Sequence, residues 1–130
     1  MPGRDVTAVQ IRKNTLVATV QRAALDERSA NSLEQEVSAA ASQHPGLPVV
    51  LDMGRVSFAP SVALGALVRL RNGFRFESRR LILANVLKAV RDTLAVTRLD
   101  RVLELQPNVE SALKAIGESK PDAEASGQNP

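Results

Sequence analysis

The stretch Pro48-Val49-Val50-Leu51-Asp52-Met53 constrains this chain more than any other. It is short, almost wholly apolar and preceded by the breaker Pro45-Gly46. A run of that length and composition predicts a central, buried strand. The flanking patterns supply its neighbours. Val9-Gln10-Ile11-Arg12 alternates apolar with polar, Lys13-Asn14 punctuates, and Leu16-Val17-Ala18-Thr19-Val20 follows. Two strands joined by so short a link form a hairpin.

Ser29 to Ala41 reads as a helix, with Ala30, Leu33, Val37 and Ala40 on one face and Glu34 and Glu36 on others. A second helix is expected from Ser61 to Phe76. Its inward stripe is Ala63, Leu67, Leu70 and Phe74, which leaves Val62, Gly65, Arg69 and Asn72 on a different, exposed side. Arg80 to Ala84 reads as a strand and Leu87 to Val96 as a helix with Val90, Leu94 and Leu87 facing in. Val102 to Leu105 reads as a last strand and Val109 to Ile116 as a last helix, with Pro107 at its start. Strands and helices alternate after the hairpin. That order predicts a single α/β domain over residues 1–117, a mixed sheet of about five strands with three or four helices mainly on one face. Residues 118–130 hold no large apolar side chain and are expected to be a disordered tail.

Composition narrows function by exclusion. Aromatic residues are 2% of the chain, with no Trp or Tyr, so the core is aliphatic and stacking platforms for single-stranded nucleic acid are not expected. No helix-turn-helix or zinc-finger spacing points to nucleic acid either. The chain has no Cys, which removes disulfides, thiol catalysis and thiolate metal sites. His44 is the single histidine, and in Gln43-His44-Pro45-Gly46 it reads as a solvated loop residue. No metal site, cofactor or catalytic constellation is therefore expected, and an enzyme is not. No run reaches the ~18 apolar residues of a membrane span. The opening MPGRDVTAVQ lacks a signal-peptide core, so a soluble, cytoplasmic protein without membrane insertion is expected. The net charge of +3 is uneven. Residues 55–101 carry ten basic and three acidic side chains, +7, read as solvated helix faces that also suit an acidic partner.

Val56-Ser57-Phe58-Ala59-Pro60-Ser61-Val62-Ala63-Leu64-Gly65-Ala66-Leu67 carries a strand end into a helix through a short turn. Ser61 reads as the helix N-cap. Phe58 and Ser57 are expected to be buried. Asp52 is a carboxylate near the turn without a His, Lys or second acid close in sequence, which is poor ground for acid–base chemistry. Asn85 is expected to bond a turn backbone and Asp26 to cap the first helix or touch a partner.

Four stretches in order resemble the STAS domain, the family of sulfate transporters and anti-sigma factor antagonists. Leu25-Asp26-Glu27-Arg28-Ser29-Ala30-Asn31-Ser32-Leu33 is similar to its Leu-Asp helix start, and Val49-Val50-Leu51-Asp52 to its central strand. Val56-Ser57-Phe58 with Leu64-Gly65-Ala66-Leu67 resembles the flanks of its signature turn. Arg80 to Val86, with Val90-Arg91 and Leu99-Asp100, resembles the strand and helix downstream. The likeness covers roughly residues 7–116. In the antagonist branch the turn usually reads Asp-Ser-Ser/Thr-Gly-Leu-Gly, and an anti-sigma kinase phosphorylates the second hydroxyl. Here Pro60 stands at the Asp position, Ser61 at the first Ser, Val62 at the acceptor and Ala63 at the first Gly, while Leu64 and Gly65 are retained. The resemblance implies a protein-interaction module that regulates transcription by binding an anti-sigma factor or related kinase. It implies contact through Val62, Gly65, Arg69 and Asp26, no phosphorylation at Val62 and Ser61 as a weak substitute acceptor, and it leaves a homodimer open. The alternative it implies is a transporter-associated STAS subunit or a sensor of a small anionic ligand such as a nucleotide or lipid.

Overall fold

The computed structural model describes residues 5–118, so nearly all of the expected tail lies outside the described residues. Strands β1 (Thr7–Arg12) and β2 (Thr15–Val20) form the expected hairpin. Lys13 and Asn14 take φ of 50° and 58°, the two left-handed residues of a tight two-residue turn, whose twist matches that of the strands. Then come α1 (Glu27–Gln43), β3 (Val49–Asp52), α2 (Ser61–Phe76), β4 (Leu81–Ala84), α3 (Lys88–Val96), β5 (Glu104–Gln106) and α4 (Val109–Glu118). The strands lie in sequence order, with β1 antiparallel to β2 and β2 to β5 parallel. This is the mixed five-strand α/β sheet that the alternating patterns predict.

Strand alternation divides the core. Leu16, Ala18, Val20, Val49, Leu51, Leu81 and Leu83 point to one face, where α1, α2 and α3 cover them with Leu33, Val37, Leu67, Leu70, Val90 and Leu94. Val17, Val50, Ile82 and Ala84 point to the other, where α4 alone covers them with Ala112 and Leu113. The apolar run of β3 is apolar throughout because it is buried on both faces. At the sheet edge, β1 exposes Val9 and Ile11.

Helix starts differ in small ways from the sequence reading. Asp26 caps α1 by accepting the Ser29 N–H at 2.9 Å, so the helix starts two residues earlier than expected, at Glu27. At α4 the cap is Asn108, whose Oδ1 accepts the Ser111 N–H at 2.7 Å, and Pro107 precedes it rather than opening the helix. Another departure is electrostatic. Arg79 is buried, donating to the carbonyls of Leu47, Ala41 and His44, so the basic middle segment is not wholly a solvated face. His44, expected to be a solvated loop residue, is half-buried as the C-cap of α1.

Candidate partner-binding surface

The loops that follow β2, β3 and β4 gather at the carboxyl end of the parallel strands, where open α/β sheets place their ligands. Asp52 organises this end. Its Oδ1 accepts the Gly54 N–H at 3.0 Å and the Asn85 side-chain amide at 3.1 Å, tying the β3–α2 loop to the β4–α3 loop. Asn85 therefore bonds a carboxylate, not the turn backbone that the sequence suggested, and it holds a left-handed φ of 58°. A Cβ on Gly54 would lie 3.2 Å from Asp52 Oδ1 and 3.4 Å from Asn85 Cβ, so glycine is what the close approach admits. Asp52 is occupied in holding loops together.

The β3–α2 loop is laced sideways to the β2–α1 loop. Ser57 and Phe58 donate their N–H groups to the Ala23 carbonyl at 2.8 and 3.2 Å, and Leu25 donates to the Phe58 carbonyl at 3.0 Å. This lateral pairing fixes the backbone at Phe58 while the residue stays 59% exposed. The expectation that Phe58 and Ser57 are buried is thus corrected. Both belong to a loop paired at the surface, and Ser57 is exposed, its hydroxyl donating to the Ala23 carbonyl at 3.3 Å. Leu87, expected to face inward, occupies the N-cap of α3 and is 38% exposed at the same end.

Pro60, not Ser61, stands at the N-cap of α2, with φ −69° and ψ 175°. Its carbonyl accepts the N–H groups of Ala63 and Leu64, but proline offers no side-chain acceptor. Ser61 is therefore the first helical residue, exposed, and its hydroxyl makes no hydrogen bond among the described residues. The capping role expected of it is overturned for a geometric reason: the fixed φ and extended ψ of Pro60 already suit the boundary, which places Ser61 one residue inside. No acidic residue lies in the first turn, so the positive end of the α2 dipole has no side-chain anion there.

Val62 and Gly65 are half-buried instead of exposed. Arg69 is exposed but committed. Its Nε and Nη2 reach Glu34 on α1 at 3.0 to 3.2 Å, and its Nη1 folds back over Gly65. Its hydrogen bonds to the accepting Glu34 carboxylate hold the Arg69 pKa above its ordinary value. Asp26, at the β2–α1 loop of the same end, is held below the usual carboxylate range by the Ser29 backbone N–H. The structure thus brings Asp26, Phe58, Ser61, Val62 and Leu87 to one end of the sheet. Gly65 and Arg69 lie further along α2, with Arg69 about 10 Å from Val62 at 1.5 Å per residue. Phe58 and Leu87 were missed as surface residues because side-chain type alone argues for burial. The signal was positional: Phe58 lies outside any periodic pattern, between Ser57 and Ala59-Pro60.

The sequence model of the STAS domain matches residues 7–112. The chain belongs to the STAS domain family. Solved STAS structures share its architecture. An anti-sigma factor antagonist from Mycobacterium paratuberculosis is 26% identical, with a TM-score of 0.71 over 85% of this chain and 92% of that one. An anti-sigma-factor antagonist (STAS) domain protein from Planctomyces limnophilus is 21% identical, with a TM-score of 0.74 over 85% and 96%. The murine anion transporter Solute Carrier 26 family member A9 is 14% identical, with a TM-score of 0.72 over 87% of this chain but 22% of its own length. Among the described residues of this STAS domain no helix is long and apolar enough to cross a membrane.

Proposed function

We propose that this STAS domain is a protein-interaction module of the anti-sigma factor antagonist type. It regulates transcription by binding an anti-sigma factor or related kinase through the carboxyl end of its parallel strands. The observation that carries the reading is Phe58, an aromatic ring held out of the core by a backbone that is itself fixed. An exposed aromatic residue at the same end of the sheet as a half-buried Val62 and the exposed Leu87 has the chemistry of an interface anchor. Asp26 and Arg69 flank that apolar centre as polar rim. The role is binding, not catalysis, and Val62, at the place of the family's usual acceptor, has no hydroxyl to modify. Association is constitutive in this respect. A Phe ring offers about 150–250 Å², so the exposed share is roughly 100–150 Å². Covering it contributes about 2–3 kcal/mol, or about 30- to 150-fold in affinity. Affinity capture from the native cell, wild type beside Phe58→Ala, followed by titration with the captured protein, is the test. Capture that is equally strong with Phe58→Ala refutes the surface.

One observation favours a second reading for regulation. The Ser61 hydroxyl is exposed and unbonded at the start of an uncapped sixteen-residue helix, where a phosphate gains from free N–H groups and the dipole. On that reading the switch has moved by one residue. Intact-mass analysis with fragmentation, after incubation with ATP and the captured kinase, separates the two. Stoichiometric phosphate on Ser61 establishes the displaced switch, and an unmodified chain leaves binding constitutive.

A further inference from the structure

Among the described residues, the amino end of the parallel strands carries more arginines than carboxylates. A cleft of about 260 Å³ lies between the second half of α2 and the starts of β4 and β5, lined by Arg71, Arg75, Arg79, Arg80 and Glu104 among others. Two of the four arginines are committed. Arg79 spends its donors on three carbonyls and Glu77. Arg80 grips Glu104 with two nitrogens, Nε to Oε1 at 2.8 Å, and gives Nη1 to the Ala115 carbonyl at 3.2 Å. The other two are not. Arg71 donates only to the neutral amide oxygen of Asn72 at 3.0 Å. Arg75 makes no side-chain hydrogen bond or ion pair among the described residues. Among the described residues, these four guanidinium groups are matched by two carboxylates, Glu104 in the cleft and Glu77 beside Arg79, an excess of two positive charges. The α2 dipole accounts for a cation in the last turn, where Arg75 sits. It does not account for Arg71 one turn earlier, where a like charge at i and i+4 opposes helix formation.

We propose that this cleft binds a multiply charged phosphate-type oxyanion, gripped by Arg71 and Arg75 against a rigid wall of Arg79 and Arg80. Each piece of chemistry points to that class. A guanidinium fork presents paired N–H donors that match phosphate oxygens. Two such forks one helical turn apart line the same cleft, within reach of a single group. The volume lies below the ~300–1,000 Å³ of pockets that enclose a whole small molecule. It therefore holds a phosphate or pyrophosphate group while any remainder of the ligand stays outside. Because the pinned arginines are already held by carbonyls and carboxylates, only the two free side chains need to be ordered when the anion arrives. The cleft is at the opposite end of the strands from Phe58 and does not depend on the partner surface.

The test is titration of the full chain at low salt with inorganic pyrophosphate and, in parallel, with adenosine triphosphate, read by calorimetry and by arginine Nε–Hε resonances. The expected result is saturable one-to-one binding that shifts the Arg71 and Arg75 signals and raises the melting temperature. Arg71→Gln and Arg75→Gln should each weaken binding roughly tenfold, the scale of one charge-assisted hydrogen bond. Neither should lower the melting temperature without the anion, since each removes an uncompensated charge. Arg91→Gln and Arg98→Gln, exposed arginines elsewhere, should leave binding unchanged. Tighter pyrophosphate assigns the cleft to a free oxyanion, and tighter triphosphate assigns it to the phosphorylated end of a larger molecule. Absence of saturable binding with both ligands overturns the proposal. So does equal weakening by the Arg91 or Arg98 variants, which would mark a diffuse charge effect.

Discussion

Replacing Arg79 by Met removes a cation whose side chain is only 3% exposed and which knots the end of α1 to the start of β4. Its magnitude follows from what each carbonyl loses. The Leu47, Ala41 and His44 oxygens receive Arg79 donors at 2.7, 3.1 and 3.0 Å. At ~1.5–3 kcal/mol for a bond to a charged group, the gross loss is several kcal/mol. Two of the three oxygens keep another donor, the Ala41 carbonyl from His44 N–H at 3.2 Å and the His44 carbonyl from Leu47 N–H at 3.4 Å. The Leu47 carbonyl is then left without a donor, at about 1–3 kcal/mol. The ion pair to Glu77, a carboxylate 57% exposed, adds little. The ring of Phe74, 5.3 Å from the guanidinium carbon, loses a cation–π contact. Against these, the cost of desolvating the guanidinium is returned, and a methionine fills part of its volume. The net destabilisation is about 2–4 kcal/mol. At about 3–5 °C per kcal/mol for a chain of this size, the melting temperature falls by roughly 6–20 °C. Arg79→Lys should recover only part of it, since an ammonium lacks the fork that reaches three acceptors at once. Differential scanning calorimetry of the three proteins is the assay. A melting temperature for Arg79→Met within about 2 °C of wild type would show that water satisfies these carbonyls as well as Arg79 does, and would refute the reasoning.

Three further outcomes are expected. Val62→Arg should weaken partner binding while the domain stays folded, whereas Leu67→Arg, at a fully buried position, should unfold it; equal melting losses would place Val62 in the core. Gly65→Ala should raise helix stability by about 0.5–1 kcal/mol, because the only heavy atom within 4 Å of the new Cβ is the flexible end of Arg69 at 3.3 Å; a lowered melting temperature would show that Arg69 cannot move. Asp26→Ala should destabilise α1 at neutral pH. Since the folded Asp26 carboxyl is held below its ordinary value by the Ser29 N–H, its contribution is full above the unfolded value near 4. It is lost as pH falls through the folded value, so the gap between wild type and variant should narrow on acidification. A gap that widens below about pH 4 would contradict this sign.

Much of the fold is written in local pattern. The hairpin at Lys13-Asn14, the stripe of Ala63, Leu67, Leu70 and Phe74, and the apolar run of β3 depend on periodicities of two and 3.6 that each segment carries by itself. The alteration of the signature turn is equally local: Val62 has no hydroxyl wherever it lies. What a single segment cannot hold is the state of a side chain set by another segment. Phe58 is exposed because its backbone pairs with Ala23 and Leu25, some thirty-five residues away in sequence. Ser61 lost its capping role because Pro60 took the boundary. Arg69 became a cross-helix clamp because α1 brought Glu34 beside it. Asn85 found Asp52 across two parallel strands. Among ten basic residues in the middle segment, tertiary contacts alone separated Arg79, which holds the fold together, from Arg71 and Arg75, which face the cleft with charge to spare. Hydrophobic periodicity is a property of neighbours along the chain and is legible there. Hydrogen bonding, ion pairing and exposure are properties of neighbours in space, and only the packed structure decides them.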